Sequence, residues 1–120
     1  MALDEPSITI HGSLTADPEL SFTSNGIGVV RFTVAQNPRY QDEQWKEGIT
    51  SFFRCEIWGK PAENVAETFG KGDLVLVVGR MRTNRYDKDS ETKQYQFVAC
   101  DVIGASVMAR PVSRVTATTS

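Results

Sequence analysis

One histidine, His11, and two cysteines, Cys55 and Cys100, are all that 120 residues provide of the side chains most used in catalysis and metal binding. His11 has no cysteine or carboxylate cluster beside it, so neither a metal centre nor a histidine-based acid–base pair is expected there. The two cysteines are too few and too far apart for a metal site. Both fall in strand-like stretches, where a small buried hydrophobe is the ordinary role, although an oxidising environment could pair them within or between subunits. No glycine-rich phosphate loop or nucleophile elbow occurs. Asp42, Glu43 and Glu47 read as solvated loop charge. An enzyme, a cofactor and a catalytic or metal site are therefore not expected.

Long apolar runs are missing as well. No stretch of 18 apolar residues exists, so a membrane span is not expected. The opening Met-Ala-Leu-Asp-Glu-Pro has neither the basic nor the apolar region of a signal peptide, which makes a cytoplasmic protein the expectation. An apolar fraction of 40% and a charged fraction of 23% suit one globular domain of this length.

An excess of basic residues is the third absence. The net charge is −2, which on its face argues against nucleic-acid binding. Segregation of the charges along the chain removes that objection. Strand-like segments 28–35, 52–58 and 74–86 hold Arg31, Arg54, Arg80, Arg82 and Arg85 against the single acid Glu56. Acids concentrate in loops, ends and a helix. A basic sheet face on an acidic body is the expected outcome, the plain alternative being arginines that merely keep a solvent face polar.

Hydrophobic periodicity gives the elements. Ile8, Ile10 and Leu14 mark a first strand, ended at Asp17-Pro18. Ser24-Asn25-Gly26 predicts a hairpin turn into a strand over 28–35, with Val30, Phe32 and Val34 on its core face. Residues 36–50 read as a polar loop. In residues 51–60, SFFRCEIWGK, Phe53, Cys55 and Ile57 share one face, while Phe52, Arg54, Glu56 and Trp58 share the other. Pro61 suits a helix start, and Ala62, Val65, Ala66 and Phe69 form its apolar stripe.

Leu74 to Val78 reads as a fully buried strand running on into a basic, alternating stretch to Tyr86. A loop is expected over 87–93. A last strand follows over 95–103, with Val98, Cys100 and Val102 on one face. The order predicts an all-β protein with one short helix: an OB-fold, a five-stranded Greek-key barrel. A β-sandwich would more often have about seven strands and no helix in that position. The OB domain is expected over 1–108 and a flexible tail over 109–120.

Aromatics lie among the charges. Phe52 and Trp58 share parity with Arg54, Tyr86 shares it with Arg80 and Arg82, and Tyr40 adjoins Arg39. Unpaired bases stack on flat π-faces at roughly 1–3 kcal/mol each while cations track phosphates, so single-stranded nucleic acid fits this pairing. Burial of Phe52 and Trp58 in a second small core or a subunit contact is the competing explanation.

The motifs Gly12-Ser-Leu-Thr-Ala-Asp-Pro-Glu-Leu20, Phe32-Thr-Val-Ala35, Trp58-Gly-Lys60 with Ala62-Glu63 and Val65-Ala66, Lys71-Gly72 and Val78-Gly-Arg-Met-Arg-Thr83 occur in that order. Together they resemble the bacterial single-stranded-DNA-binding protein family over residues 5–108. The resemblance implies a homotetramer that binds and protects single-stranded DNA without sequence specificity in replication, recombination and repair, associated with the nucleoid. It implies stacking by Tyr40, Phe52, Trp58 and Tyr86, and phosphate contacts from Lys60, Lys71, Arg82 and Arg85. The parity of the strands adds Arg31, Arg39, Arg54 and Arg80.

Phe52 and Tyr86 stand where the family often has tryptophan. Asn84 replaces a residue that is basic in some members, and Ser13 the usual asparagine. The family's acidic C-terminal tip is absent from this sequence, as expected of a short paralogue, a phage-type member or a truncated chain, so docking of protein partners through it is not supported. A protein-interaction module and an RNA binder are the alternatives in other classes.

Overall fold

The computed structural model describes residues 4–41 and 45–113, with only the backbone for 39–41 and 45–47. Among the described residues nine elements follow one another. They are β1 (Ser7–Leu14), β2 (Glu19–Phe22), β3 (Gly28–Gln36), β4 (Arg39–Gln41), β5 (Trp45–Glu47), β6 (Ser51–Trp58), α1 (Lys60–Thr68), β7 (Leu74–Lys88) and β8 (Glu91–Ala105). β4 and β5 pair as a two-stranded ribbon where a loop is expected from sequence.

The other strands pair in the order β1-β7-β8-β6-β3-β2, and a further β1–β3 pairing joins the ends. Five strands thus form a ring of pairings, with β2 as an added edge and one helix between β6 and β7. This is the OB-fold arrangement. Inside it lie Ile10, Leu14, Val30, Phe32, Val34, Cys55, Ile57, Val75, Val77 and Val98, all buried. Full burial of a Val or Ile side chain contributes about 1.5–3 kcal/mol against exposure. Ala62 and Val65 of α1 join the same cluster, the stripe expected of that helix. Gly59 stands at its N-cap with φ 89°, and a proline follows within the first turn.

Three further sequence expectations need correction. Leu74–Val78 is not buried on both faces: Val75 and Val77 are fully buried, but Leu76 is 44% and Val78 38% exposed. The apolar run is an ordinary alternating strand whose outward positions are also apolar. Second, residues 87–93 are not a loop. β7 and β8 are 15-residue strands joined by Asp89 and Ser90, both with positive φ (53° and 66°), the conformation of a tight hairpin turn. Polar residues extend these strands because the hairpin projects past the core, with both faces toward solvent.

Third, Val102 does not share a face with Val98 and Cys100. The β7–β8 register shifts between Val78 and Gly79, so that Asp101 is passed over and Val102 lies opposite Val78, 60% exposed. Ile103 takes the inward place and packs on the core.

Gly79 sits at that shift because the backbone of β8 passes close by. A Cβ there would lie 2.5 Å from the Ala99 carbonyl oxygen and 2.8 Å from Val98 Cγ1. Gly79→Ala should therefore cost about 1–3 kcal/mol in urea unfolding, whereas Gly104→Ala, which meets nothing within 4 Å, should stay within about 0.5 kcal/mol. Equal costs for the two would contradict the close approach.

Cys55 and Cys100 are free thiols. Burial, reinforced by the neighbouring Cys100, pushes the Cys55 thiol up to about 12. Burial and then Asp101 push Cys100 up to about 11. Raised values keep both groups neutral at pH 8, and neutral thiols are poor nucleophiles. Iodoacetamide at pH 8 should label the native protein slowly and the urea-unfolded protein at the rate of a free thiol.

Candidate nucleic-acid interface

The outer face of the ring is set by register. Antiparallel pairing places Trp58 opposite Val29, Glu56 opposite Arg31, Arg54 opposite Thr33 and Phe52 opposite Ala35. Residues opposite one another share a face. Phe52 (66% exposed), Arg54 and Trp58 (52% exposed) point away from the core, while Cys55 and Ile57 are buried and Phe53 packs against them.

The same face continues onto the long hairpin. β6 meets β8 through Cys55↔Val98 and Glu56↔Ala99. β8 then presents Phe97 and Tyr95, which stand opposite Arg82 and Asn84, with Tyr86 opposite Lys93. Three rings form a ladder: Tyr86 to Tyr95 and Tyr95 to Phe97 are each 5.8 Å between centroids, both tilted. The Arg54 guanidinium lies 5.6 Å from the Tyr95 centroid, a cation–π contact. A cleft of about 190 Å³ opens beside it, lined by Arg31, Thr33, Arg54, Glu56, Tyr95 and Phe97.

Tyr95 and Phe97 are additions to the residues picked from sequence. Alternation within their own strand, with Val98 and Cys100 inward, turns both outward; what the sequence did not show is that Tyr86, on β7, lies beside them.

Glu56, an acid on a basic face, is only 8% exposed. One of its oxygens, Oε2, accepts from Arg31 Nε at 3.2 Å; the other, Oε1, accepts from the Trp58 indole N–H at 3.1 Å. The carboxylate thus fixes one cation and one aromatic ring together. Two further arginines are also paired. Arg80 donates to Asp101 through Nε (3.2 Å) and Nη2 (2.9 Å) and to Glu5 through Nη1 (2.8 Å). Arg82 donates to Glu5 through Nε at 2.5 Å and Nη2 at 3.3 Å. Its hydrogen bond to Arg82, aided by the charges of both arginines, holds the Glu5 carboxyl below the usual carboxylate range despite some lost hydration.

The remaining selected residues scatter. Arg85 alternates with Tyr86 and belongs to the opposite face of the hairpin. Lys60 begins α1 and Lys71 stands in the turn after it; both are exposed, and the Lys71 backbone N–H donates to Asp17 Oδ1 at 2.8 Å. The side chains of Arg39 and Tyr40 lie outside the described residues. Phe52, Arg54, Trp58, Arg31, Arg80, Arg82 and Tyr86 are thus brought onto one outer surface.

The sequence profile of the Single-strand binding protein family matches residues 6–103. The chain is 47% identical over 107 residues to a single-stranded DNA-binding protein of Mycobacterium leprae, covering 86% of this chain and 64% of that one. Against the corresponding protein of Mycolicibacterium smegmatis it is 44% identical over 107 residues, 86% of this chain and 65% of the other. The chain therefore spans just under two thirds of the length of these relatives. Among solved structures, the small single-stranded DNA-binding protein from Streptomyces coelicolor superposes with a TM-score of 0.74 at 27% identity, covering 88% of this chain and 97% of that one.

The Glu56 contacts lead to a direct test. Glu56→Ala should cost about 1–2 kcal/mol of stability and lower the fluorescence anisotropy of Trp58, read in a Trp45→Phe background. Glu56→Gln, which keeps a carbonyl for the indole N–H, should restore the anisotropy. An unchanged anisotropy in the alanine variant would show that Glu56 does not fix the ring.

Proposed function

The chain belongs to the Single-strand binding protein family, and from that membership we propose that it binds single-stranded DNA without sequence specificity, by base stacking and phosphate contact. The observation that carries the reading is the shared outer face of Phe52, Arg54, Trp58 and the Tyr86–Tyr95–Phe97 ladder. Exposed rings next to guanidiniums suit unpaired bases, and stacking accepts every base because every base has a π-face. Phe52, Trp58 and Tyr86 are assigned to stacking, with Tyr40 from the family resemblance. Arg31, Arg39, Arg54, Lys60, Lys71, Arg80, Arg82 and Arg85 are assigned to phosphate contacts. Service in replication, recombination and repair, in the cytoplasm with the nucleoid, follows from the same family reading.

Self-association as a homotetramer is the second part of the proposal. Leu76, Val78 and Val102 stand together on the outer side of the β1-β7-β8 sheet, Val78 directly opposite Val102. Exposed apolar residues grouped on one sheet face favour coverage by another protein surface, and a second copy of the chain is the occupant proposed. Val102→Asp should dissociate the assembly in sedimentation.

Titration with poly-dT tests the DNA reading. Trp58 fluorescence should be quenched on binding, and log affinity should fall with log salt with a slope of roughly −0.7 per phosphate contact. Absence of both quenching and salt dependence at low ionic strength would sink the proposal. Equal affinity for matched RNA would move it to a general single-strand binder.

A further inference from the structure

We propose that the Glu5 carboxylate occupies a phosphate subsite made by Arg80 and Arg82, and that a DNA phosphate must displace it to bind there. The inference rests on the single-stranded DNA reading above and adds an internal competitor to it. Glu5 bridges the two guanidiniums, reaching Arg80 Nη1 and both Nε and Nη2 of Arg82. A carboxylate held by the Arg82 fork and a further N–H from Arg80 reproduces what a phosphate oxygen pair demands of arginine. The location is right for a backbone phosphate, since Arg82 stands directly opposite Phe97 at one end of the aromatic ladder.

The two carboxylates on this cluster differ in how they are mounted. Asp101 belongs to β8, at the register shift, and binds Arg80 alone. Glu5 precedes β1, and the nearest backbone tie of its segment is the Met81 N–H donating to the Pro6 carbonyl at 2.8 Å. Glu5 can therefore swing out by side-chain rotation while Asp101 keeps Arg80 in place. Arg82 would then face the phosphate with its full charge.

Two arginines against two carboxylates leave this cluster with no net charge. It therefore adds little to counterion release until Glu5 leaves. Its presence lowers affinity and flattens the salt dependence, and it sharpens the requirement for a real phosphate in place of any diffuse anion.

The test is tryptophan fluorescence titration of the full chain with an oligo-dT strand at several salt concentrations, with thermal unfolding as a check on folding. Glu5→Gln keeps the size of the side chain and removes its charge. The variant should bind about two- to five-fold more tightly at low salt, with a salt slope steeper by roughly 0.7 for one more effective phosphate contact. Adding Arg82→Gln to Glu5→Gln should abolish the gain. Wild-type affinity and slope in a folded Glu5→Gln variant, or weaker binding, would overturn the inference, leaving Glu5 as a residue that positions the arginines. Retention of the gain without Arg82 overturns it too. Binding by neither the wild type nor the variant would remove the DNA reading itself.

Discussion

The ring of strands closes at one narrow place. β1 pairs with β7 from Ser7 to Ser13, then meets β3 only through Ser13↔Ala35 and Leu14↔Val34. For one strand to serve two neighbours it must pass very near the second, and Gly12 permits that: a Cβ there would lie 2.2 Å from the Ala35 carbonyl oxygen. Once the ring is closed, each strand has one inward and one outward set of side chains, and no strand can slip by one residue without turning its core residues to water. The outer surface is therefore as strictly specified as the core.

That coupling explains why the candidate site is assembled from distant strands and still has fixed geometry. Arg31 on β3, Glu56 and Trp58 on β6, and Phe97 on β8 each face outward because Val30, Ile57 and Val98 beside them face inward. Fixing a ring before a base arrives lowers the entropy lost on binding. Trp58, tied to Glu56, is held in this way, and the Tyr95 ring is flanked by Tyr86, Phe97 and Arg54. Phe52, 66% exposed at the start of β6, has freer surroundings.

Much of this was legible in the sequence, for a physical reason. The alternation of β6 depends only on the two-residue period of a strand, so Phe53, Cys55 and Ile57 against Phe52, Arg54 and Trp58 could be sorted without a neighbour in view. The helix was legible for the same reason, at a different period. The exposure of Leu76 and Val78 was not, because an apolar run does not reveal which of its faces lacks a covering layer. The reversal at Val102 was also hidden, since a register shift comes from how two backbones meet. Polar residues 87–93 suggested a loop because the hairpin they extend has no core side to impose alternation.

Electrostatics was the least legible level, and it changes what the site's charge means. Counting along strands gave an excess of arginines, but the carboxylates that answer them come from elsewhere: Glu5 from before β1 and Asp101 from β8. Arg31 has its partner, Glu56, on the adjacent strand. The arginines of these pairs stay partly open to solvent while Glu5 and Glu56 are largely covered, so each pair is screened only in part. A backbone phosphodiester, which like a carboxylate spreads one negative charge over two free oxygens, offers these arginines an equivalent partner. A face balanced in this way stays compatible with the chain's net charge of −2 and presents its cations when an anion is there to exchange for them.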